Sequence, residues 1–231
     1  MTLAKNERPF VYLNVAITAD GKLAPAHRKF VPFSSKRDQE LLMKLRTEAD
    51  AVMAGARTVD MAPVDLGPGA PRFRRMRLKR GLAEYNTRII VSGSGSVNPR
   101  AKIFKQRFSP IIILTTERAG KKIKQLQKVA DIVEVCGEKK LDFSYALKWL
   151  RAEHGIKRLL CEGGGEINAA LLMEKLVDEI YVTICPVLFG GRDAPTMADG
   201  EGVSRVEDAI KLKVKSLQPV RGELYLVYKV L

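Results

Sequence analysis

Short β-prone apolar runs alternate with amphipathic, helix-like segments through the first 175 residues, and this alternation constrains the fold more than any other feature of the chain. Phe10–Ile17 reads as a strand, closed by an Asp-Gly turn at Thr18–Lys22. Ser34-Ser-Lys-Arg-Asp38 opens a helix with a serine cap, and Leu41, Leu42, Leu45 and Ala49 follow at helical spacing. Asp50–Gly55 is a short buried strand ending in glycine, and Arg57–Asp60 starts a further segment. Asn86–Val91, Pro110–Leu114, Ile132–Val135 and Ile156–Leu160 are strand-like. Helices are expected over Ala119–Val129, over Phe143–His154 with Tyr145, Ala146, Trp149 and Leu150 as its apolar stripe, and over Glu166–Lys175. Such alternation implies an α/β fold, a mainly parallel central sheet with helices on both faces. After residue 175 the pattern changes: Glu179–Cys185 is a strand, and Lys213–Leu217 with Leu224–Val230 predict an antiparallel extension. No repeat or linker breaks the 231 residues, so a single domain is expected.

In open parallel sheets, ligands sit at the carboxyl ends of the strands. The loops expected there are 18–22, 55–58, 92–96, 115–117 and 162–166, and nearly every Gly/Ser/Thr cluster of the chain falls among them. The most informative is Cys161-Glu-Gly-Gly-Gly-Glu-Ile-Asn168, between a strand and a helix. Consecutive glycines let backbone approach a ligand closely, and the N–H groups and dipole of the next helix favour an anion. The segment reads as a phosphate or pyrophosphate cradle with the Glu162 carboxylate just before it; the plain alternative is a tight connection. It is not a Walker loop, because no Gly-Lys-Ser/Thr follows, and it lies too far along the chain for a Rossmann fingerprint.

Forty Lys and Arg against 26 Asp and Glu give a net charge of +14, which attracts anions: nucleic acid, phosphorylated small molecules or a dinucleotide. A merely solubilising surface is the bland alternative. The densest basic stretch, Arg72–Arg80, lies in a Pro/Gly-rich region and lacks both a helix-turn-helix pattern and interleaved aromatics, which argues against base readout. No apolar run approaches the roughly 20 residues of a membrane span. The N-terminus has no signal-like apolar region, and the scattered Cys136, Cys161 and Cys185 read as buried free thiols in a reducing compartment, so a cytoplasmic protein is expected. Cys161 beside the glycine run is a weak candidate nucleophile, and neither His27 nor His154 has a partnering base nearby in sequence.

Taken together and in order, Asn14-Val-Ala-Ile-Thr-Ala-Asp-Gly-Lys-Leu-Ala24, Ala51–Val59, Val91-Ser-Gly93, Glu162-Gly-Gly-Gly165 and Pro186–Gly191 resemble the riboflavin-biosynthesis pyrimidine reductase family. The resemblance covers about residues 10–230. It implies a three-layer dihydrofolate reductase-like fold, NADPH as cofactor, a homodimer, and hydride transfer to C1′ of a phosphorylated ribosylamino-pyrimidine. It also implies residue roles. Ala16 would touch the nicotinamide side; Gly55 and Thr58 would hold cofactor phosphate or ribose; Ser92 and Gly93 would line the adenosine end. Gly163, Gly164, Gly165, Glu166, Ile167 and Asn168 would bind the pyrophosphate. Arg46 would grip the substrate phosphate, and Asn14 and Glu162 would meet substrate polar groups. Glu162, Asp20 or water would supply the proton.

Each role has a structural counterpart: Arg46 as a surface-helix arginine, Asp20 as a turn former, Thr58 as a helix cap. The family pattern fails after Asp60, where Met61–Pro71 replaces an aspartate pair and an arginine; one of Arg72, Arg74 and Arg75 is expected to stand in for the latter. No His-x-Glu followed by Pro-Cys-x-x-Cys occurs, so no zinc deaminase and no other metal site is expected. Whether the pyrimidine is a diamino compound or already deaminated stays open. The alternatives are a dihydrofolate reductase-like enzyme acting on another pterin or pyrimidine, and a basic nucleic-acid-binding protein.

Overall fold

The elements follow one another along the described residues, 7–28, 31–61 and 64–231 of a computed structural model. The first half carries β1 (Phe10–Thr18), α1 (Lys36–Arg46), β2 (Ala51–Gly55), α2 (Ala56–Met61), α3 (Pro71–Lys79), β3 (Thr87–Val91) and β4 (Ile111–Thr115). Then come α4 (Ile123–Leu126), β5 (Ile132–Val135), α5 (Phe143–His154), β6 (Arg158–Cys161), α6 (Gly165–Met173), β7 (Glu179–Cys185), β8 (Leu212–Val220) and β9 (Glu223–Val230). Contacts divide the chain into two compact units. One comprises Met43–Leu160 with the N-terminal stretch to Phe10, and the other comprises Val11–Leu42 with Cys161–Leu231.

In the first unit the strands lie in the order β5-β4-β3-β2-β6, and β2/β3, β3/β4 and β4/β5 are parallel. Every residue of β2 and β4 is buried, as expected of near-continuous apolar runs in a parallel sheet. Asp50 stitches the start of β2 to its neighbours. Its carboxylate accepts from the N–H groups of Lys157 and Arg158, both at 2.8 Å, and its carbonyl accepts from Thr87 N at 3.0 Å. In the second unit the order is β1-β7-β9-β8, with β1 and β7 parallel and β7, β9 and β8 antiparallel. The expected parallel sheet with an antiparallel C-terminal extension is therefore present. β8 carries Lys213, Lys215 and Pro219, residues that blunt an edge strand, yet Val214 and Leu217 are each 54% exposed.

Three segments differ from the sequence reading. The basic run is a helix, α3, because Pro71 occupies its first position with φ already suited, and Phe73 and Arg77, four apart, turn inward. Ala119–Val129 is not one helix. Gly120, at φ +50° within the 3₁₀ stretch Glu117–Lys122, kinks the region ahead of the short α4. In α5 the buried stripe is Phe143, Ala146, Leu147 and Leu150, while Tyr145 is exposed and donates its hydroxyl to Glu134 at 2.7 Å. Trp149 instead packs edge-on against His154. Ala62 and Pro63 of the departing segment lie outside the described residues.

Candidate active site

In the first unit, Gly55 ends β2 opposite Val91, and α2 begins at once, with Thr58 half-buried in it. Ser92 follows β3 and is 3% exposed. Its hydroxyl accepts from Val97 N at 3.1 Å and its carbonyl accepts from the Thr115 hydroxyl at 2.8 Å, so its side chain shapes the loop from within. Gly93 differs: a Cβ there would meet only Thr116 Cγ2, at 3.8 Å, and the backbone is open to close approach.

Arg46 is not a surface arginine. It is 5% exposed, donates to Gly67 O at 2.6 Å, and lies 3.6 Å from the Asp65 carboxylate. It thus ties the end of α1 to the loop at 65–67. Arg72 is exposed at the start of α3, its guanidinium 4.6 Å from the centre of the Phe73 ring. Sequence reasoning missed two interior arginines in this unit. Arg77 is 1% exposed and donates to the carbonyls of Arg46, Ala49 and Ala83, completing the C-terminal end of α1. Arg88 is fully buried against Phe108 and Ser109, and burial lowers its guanidinium to about 10.

In the second unit, the glycine run joins β6 to α6, and the Gly163–Gly164 peptide is cis. Gly164 takes the N-cap position with no side-chain cap, which leaves the helix start to backbone donors; the exposed Glu166 stands in its first turn. Ile167 and Asn168 donate their N–H groups to Gly164 O, both at 3.0 Å, and Ile167 is half-buried. Gly163 has φ +80°, which favours glycine. Gly165 is required for a reason the sequence reading did not give. A Cβ there would lie 2.4 Å from the Asp199 carboxylate and 2.5 Å from Thr196 O, so the close approach is made by the chain's own loop. The Asn168 side chain is likewise engaged by the chain itself. It is fully buried, donates to Met197 O at 2.9 Å and faces the Cys161 thiol, so its amide holds the 196–199 loop. Cys161 is completely buried, and burial pushes its thiol up to about 12, which removes it as a nucleophile. Glu162 is half-buried directly after β6.

Asp20 is engaged by neighbouring loops. It is exposed and accepts from the Thr18 hydroxyl at 2.5 Å, Phe189 N at 3.2 Å and Gly190 N at 2.7 Å. The Thr18 hydrogen bond foremost, with the two amides, holds its carboxyl below the ordinary aspartate range. It latches two loops and stays ionised, which makes it a poor acid.

The β1/β7 register sets Asn14 opposite Tyr181, Ala16 opposite Thr183 and Thr18 opposite Cys185, and β9 adds Tyr225 opposite Thr183. Paired residues share a face, so Asn14, Ala16 and Thr183 lie along one side. Asn14 is 9% exposed and Ala16 half-buried. Against Thr183 stands Asp38, from the first turn of α1. Glu223 accepts from Ser35 N at 2.8 Å, from the Ser35 hydroxyl at 2.6 Å and from the Tyr225 hydroxyl. None of these was singled out from the sequence. An acidic residue in a first helical turn is ordinary, and only Thr183, polar between Val182 and Ile184, breaks an apolar run.

The sequence model for the RibD C-terminal domain matches residues 9–226. The chain belongs to the RibD C-terminal domain family. A reductase of Archaeoglobus fulgidus is 34% identical over 194 residues, 84% of this chain and 88% of its own length. One of Methanothermobacter thermautotrophicus is 33% identical over 223 residues, 96% and 99% of the two chains. Both are named 2,5-diamino-6-ribosylamino-4(3H)-pyrimidinone 5′-phosphate reductase. RibD of Acinetobacter baumannii superposes with a TM-score of 0.77 at 20% identity, covering 97% of this chain and 58% of that one, which shows a shared fold. The present chain spans little more than half the length of that RibD. Among the described residues no group of three His, Cys, Asp or Glu is placed to hold a metal ion, and no helix is long and apolar enough to cross a membrane.

Proposed function

We propose that this chain is an NADPH-dependent reductase that converts 2,5-diamino-6-ribosylamino-4(3H)-pyrimidinone 5′-phosphate to its ribityl form in riboflavin biosynthesis. The observation that carries this reading is the 33% identity with the M. thermautotrophicus reductase across nearly the whole of both chains. The family match spans both compact units, which supports one reductase domain. When bound, the cofactor supplies hydride, and the protein supplies position and electrostatics. Within the first unit the open backbone at Gly93, and within the second the uncapped start of α6, each suit close approach of a phosphate group. Gly55 and Thr58 would serve the same ligand, and Ala16 its nicotinamide. Asn14, Arg46, Arg72 and Glu162 would serve the substrate. The charge of +14 suits two anionic ligands. Exposed Val214 and Leu217 on the edge strand support self-association as a homodimer, and three buried free thiols suit the cytoplasm.

NADPH oxidation with the diamino compound, with its deaminated counterpart and with dihydrofolate tests the reading. Turnover is expected with the diamino compound foremost. Turnover with dihydrofolate alone would replace the reading with that of another pterin reductase.

A further inference from the structure

We propose that Lys122 selects NADPH over NADH by pairing with the phosphate on the 2′ position of the adenosine ribose, at a subsite built on the 92–96 loop; the assignment rests on the cofactor reading proposed above. The loop follows β3 in the first unit and carries more polar groups than the protein itself uses. The N–H groups of Gly93, Ser94 and Ser96 donate to nothing among the described residues, and the Ser94 and Ser96 hydroxyls have no partner there either. Neighbouring unpaired N–H groups in a turn form a concave patch of positive potential that suits an anion. Gly93 leaves the approach open, because it has no side chain and little stands over it.

The cation comes from the stretch that follows β4. Thr116 donates its hydroxyl to Gly93 O at 2.8 Å and its N–H to the same oxygen at 3.3 Å, which anchors the 3₁₀ stretch Glu117–Lys122 against the loop. The packing is closest at Gly95, where a Cβ would lie 3.0 Å from Ala119 Cβ and 3.1 Å from Lys122 Cβ. The Lys122 stem therefore runs along the loop, and its ammonium reaches Ser94 O at 3.4 Å. That single long bond leaves most of the ammonium's donors available to a ligand. Among the described residues no carboxylate pairs with Lys122, nor with Arg118 and Lys121, which are exposed in the same stretch; Glu117 is its only acidic residue. A phosphate monoester brings a charge of about −1.5 to −2 at neutral pH and three acceptor oxygens, which match an ammonium, two hydroxyls and free N–H groups. The hydroxyl that NADH carries at that position offers them far less. The cofactor's pyrophosphate and the 5′-phosphate of the pyrimidine have the same chemistry, and the test separates the three.

The test uses the full chain as wild type, Lys122→Met, Lys122→Arg and Lys148→Met. Methionine keeps an apolar stem over Gly95 and removes the charge. Binding of NADPH and NADH is read by fluorescence titration, and that of adenosine 2′,5′-bisphosphate and adenosine 5′-monophosphate by calorimetry; KM is measured for both nucleotides and for the pyrimidine phosphate. Lys122→Met is expected to weaken NADPH and the bisphosphate about tenfold, with NADH and the monophosphate unchanged. Lys122→Arg should recover most of the loss, and Lys148→Met, on the exposed side of α5, should cause none. An unchanged NADPH-to-NADH ratio in Lys122→Met overturns the assignment. Equal weakening of both nucleotides also overturns it, since Lys122 would then serve the pyrophosphate or merely hold the loop. So does a raised KM for the pyrimidine phosphate with NADPH binding unaltered, which would move the cation to the substrate. An equal effect of Lys148→Met overturns it as well, reducing the preference to net charge. Selective, Lys122-dependent NADPH binding by a wild type that does not reduce the pyrimidine supports the subsite and overturns the proposed substrate alone. A wild type that binds neither nucleotide overturns both.

Discussion

At Glu223 a buried carboxylate is stabilised by the donors that converge on it, and its removal has a pH signature. Glu223→Gln presents an amide N–H₂ to donors that now find no acceptor, a loss of about 1–3 kcal/mol at neutral pH. Because the folded-state value lies below the ordinary glutamate value, the wild-type advantage exists above that ordinary value and disappears as pH falls through the folded one. Thermal unfolding of both proteins from neutral to strongly acidic pH should show the two melting temperatures converging; a constant gap would mean that the charge plays no part. Little at this scale was legible beforehand. Asp20 read as a turn former and is one, but its grip on Phe189 and Gly190 depends on residues 169 and 170 places away. Arg46 read as either a surface side chain or a phosphate ligand, and its burial against Gly67 could not be inferred from helical spacing.

Among elements, the strand-to-helix turn at 162–168 was recognised, whereas the reason for its glycines was only half right. Gly163 needs its positive φ, and Gly165 makes room for Asp199 and Thr196. Gly165→Ala should therefore destabilise by about 1–3 kcal/mol through overpacking, in unfolding measured without cofactor. A stability equal to wild type would show that the 196–199 loop yields freely. The strands were legible because fully buried runs such as Ile111-Ile-Ile-Leu-Thr115 admit little else. α3 was not, since its nine residues hold two inward positions and one of these is an arginine.

For the whole molecule, the charge of +14 is not all available to ligands, because Arg77 and Arg88 are interior. The remainder still predicts that the KM for the phosphorylated substrate rises several-fold between about 0.1 M and 1 M salt, as the Debye length falls from about 10 Å to about 3 Å. A salt-independent KM would return those charges to a solubilising role. The sequence by itself determined the α/β class, the parallel strands, the antiparallel C-terminal hairpin and the backbone-rich loops at strand ends. All of these follow from local periodicity and from glycine, serine and threonine in short windows. Only the tertiary structure decided which polar side chains are spent inside the protein, as with Ser92, Asn168 and Arg77. The physical reason is that burial and hydrogen-bond partners come from residues distant in the chain, and a side chain's proton affinity follows those partners rather than its neighbours in sequence.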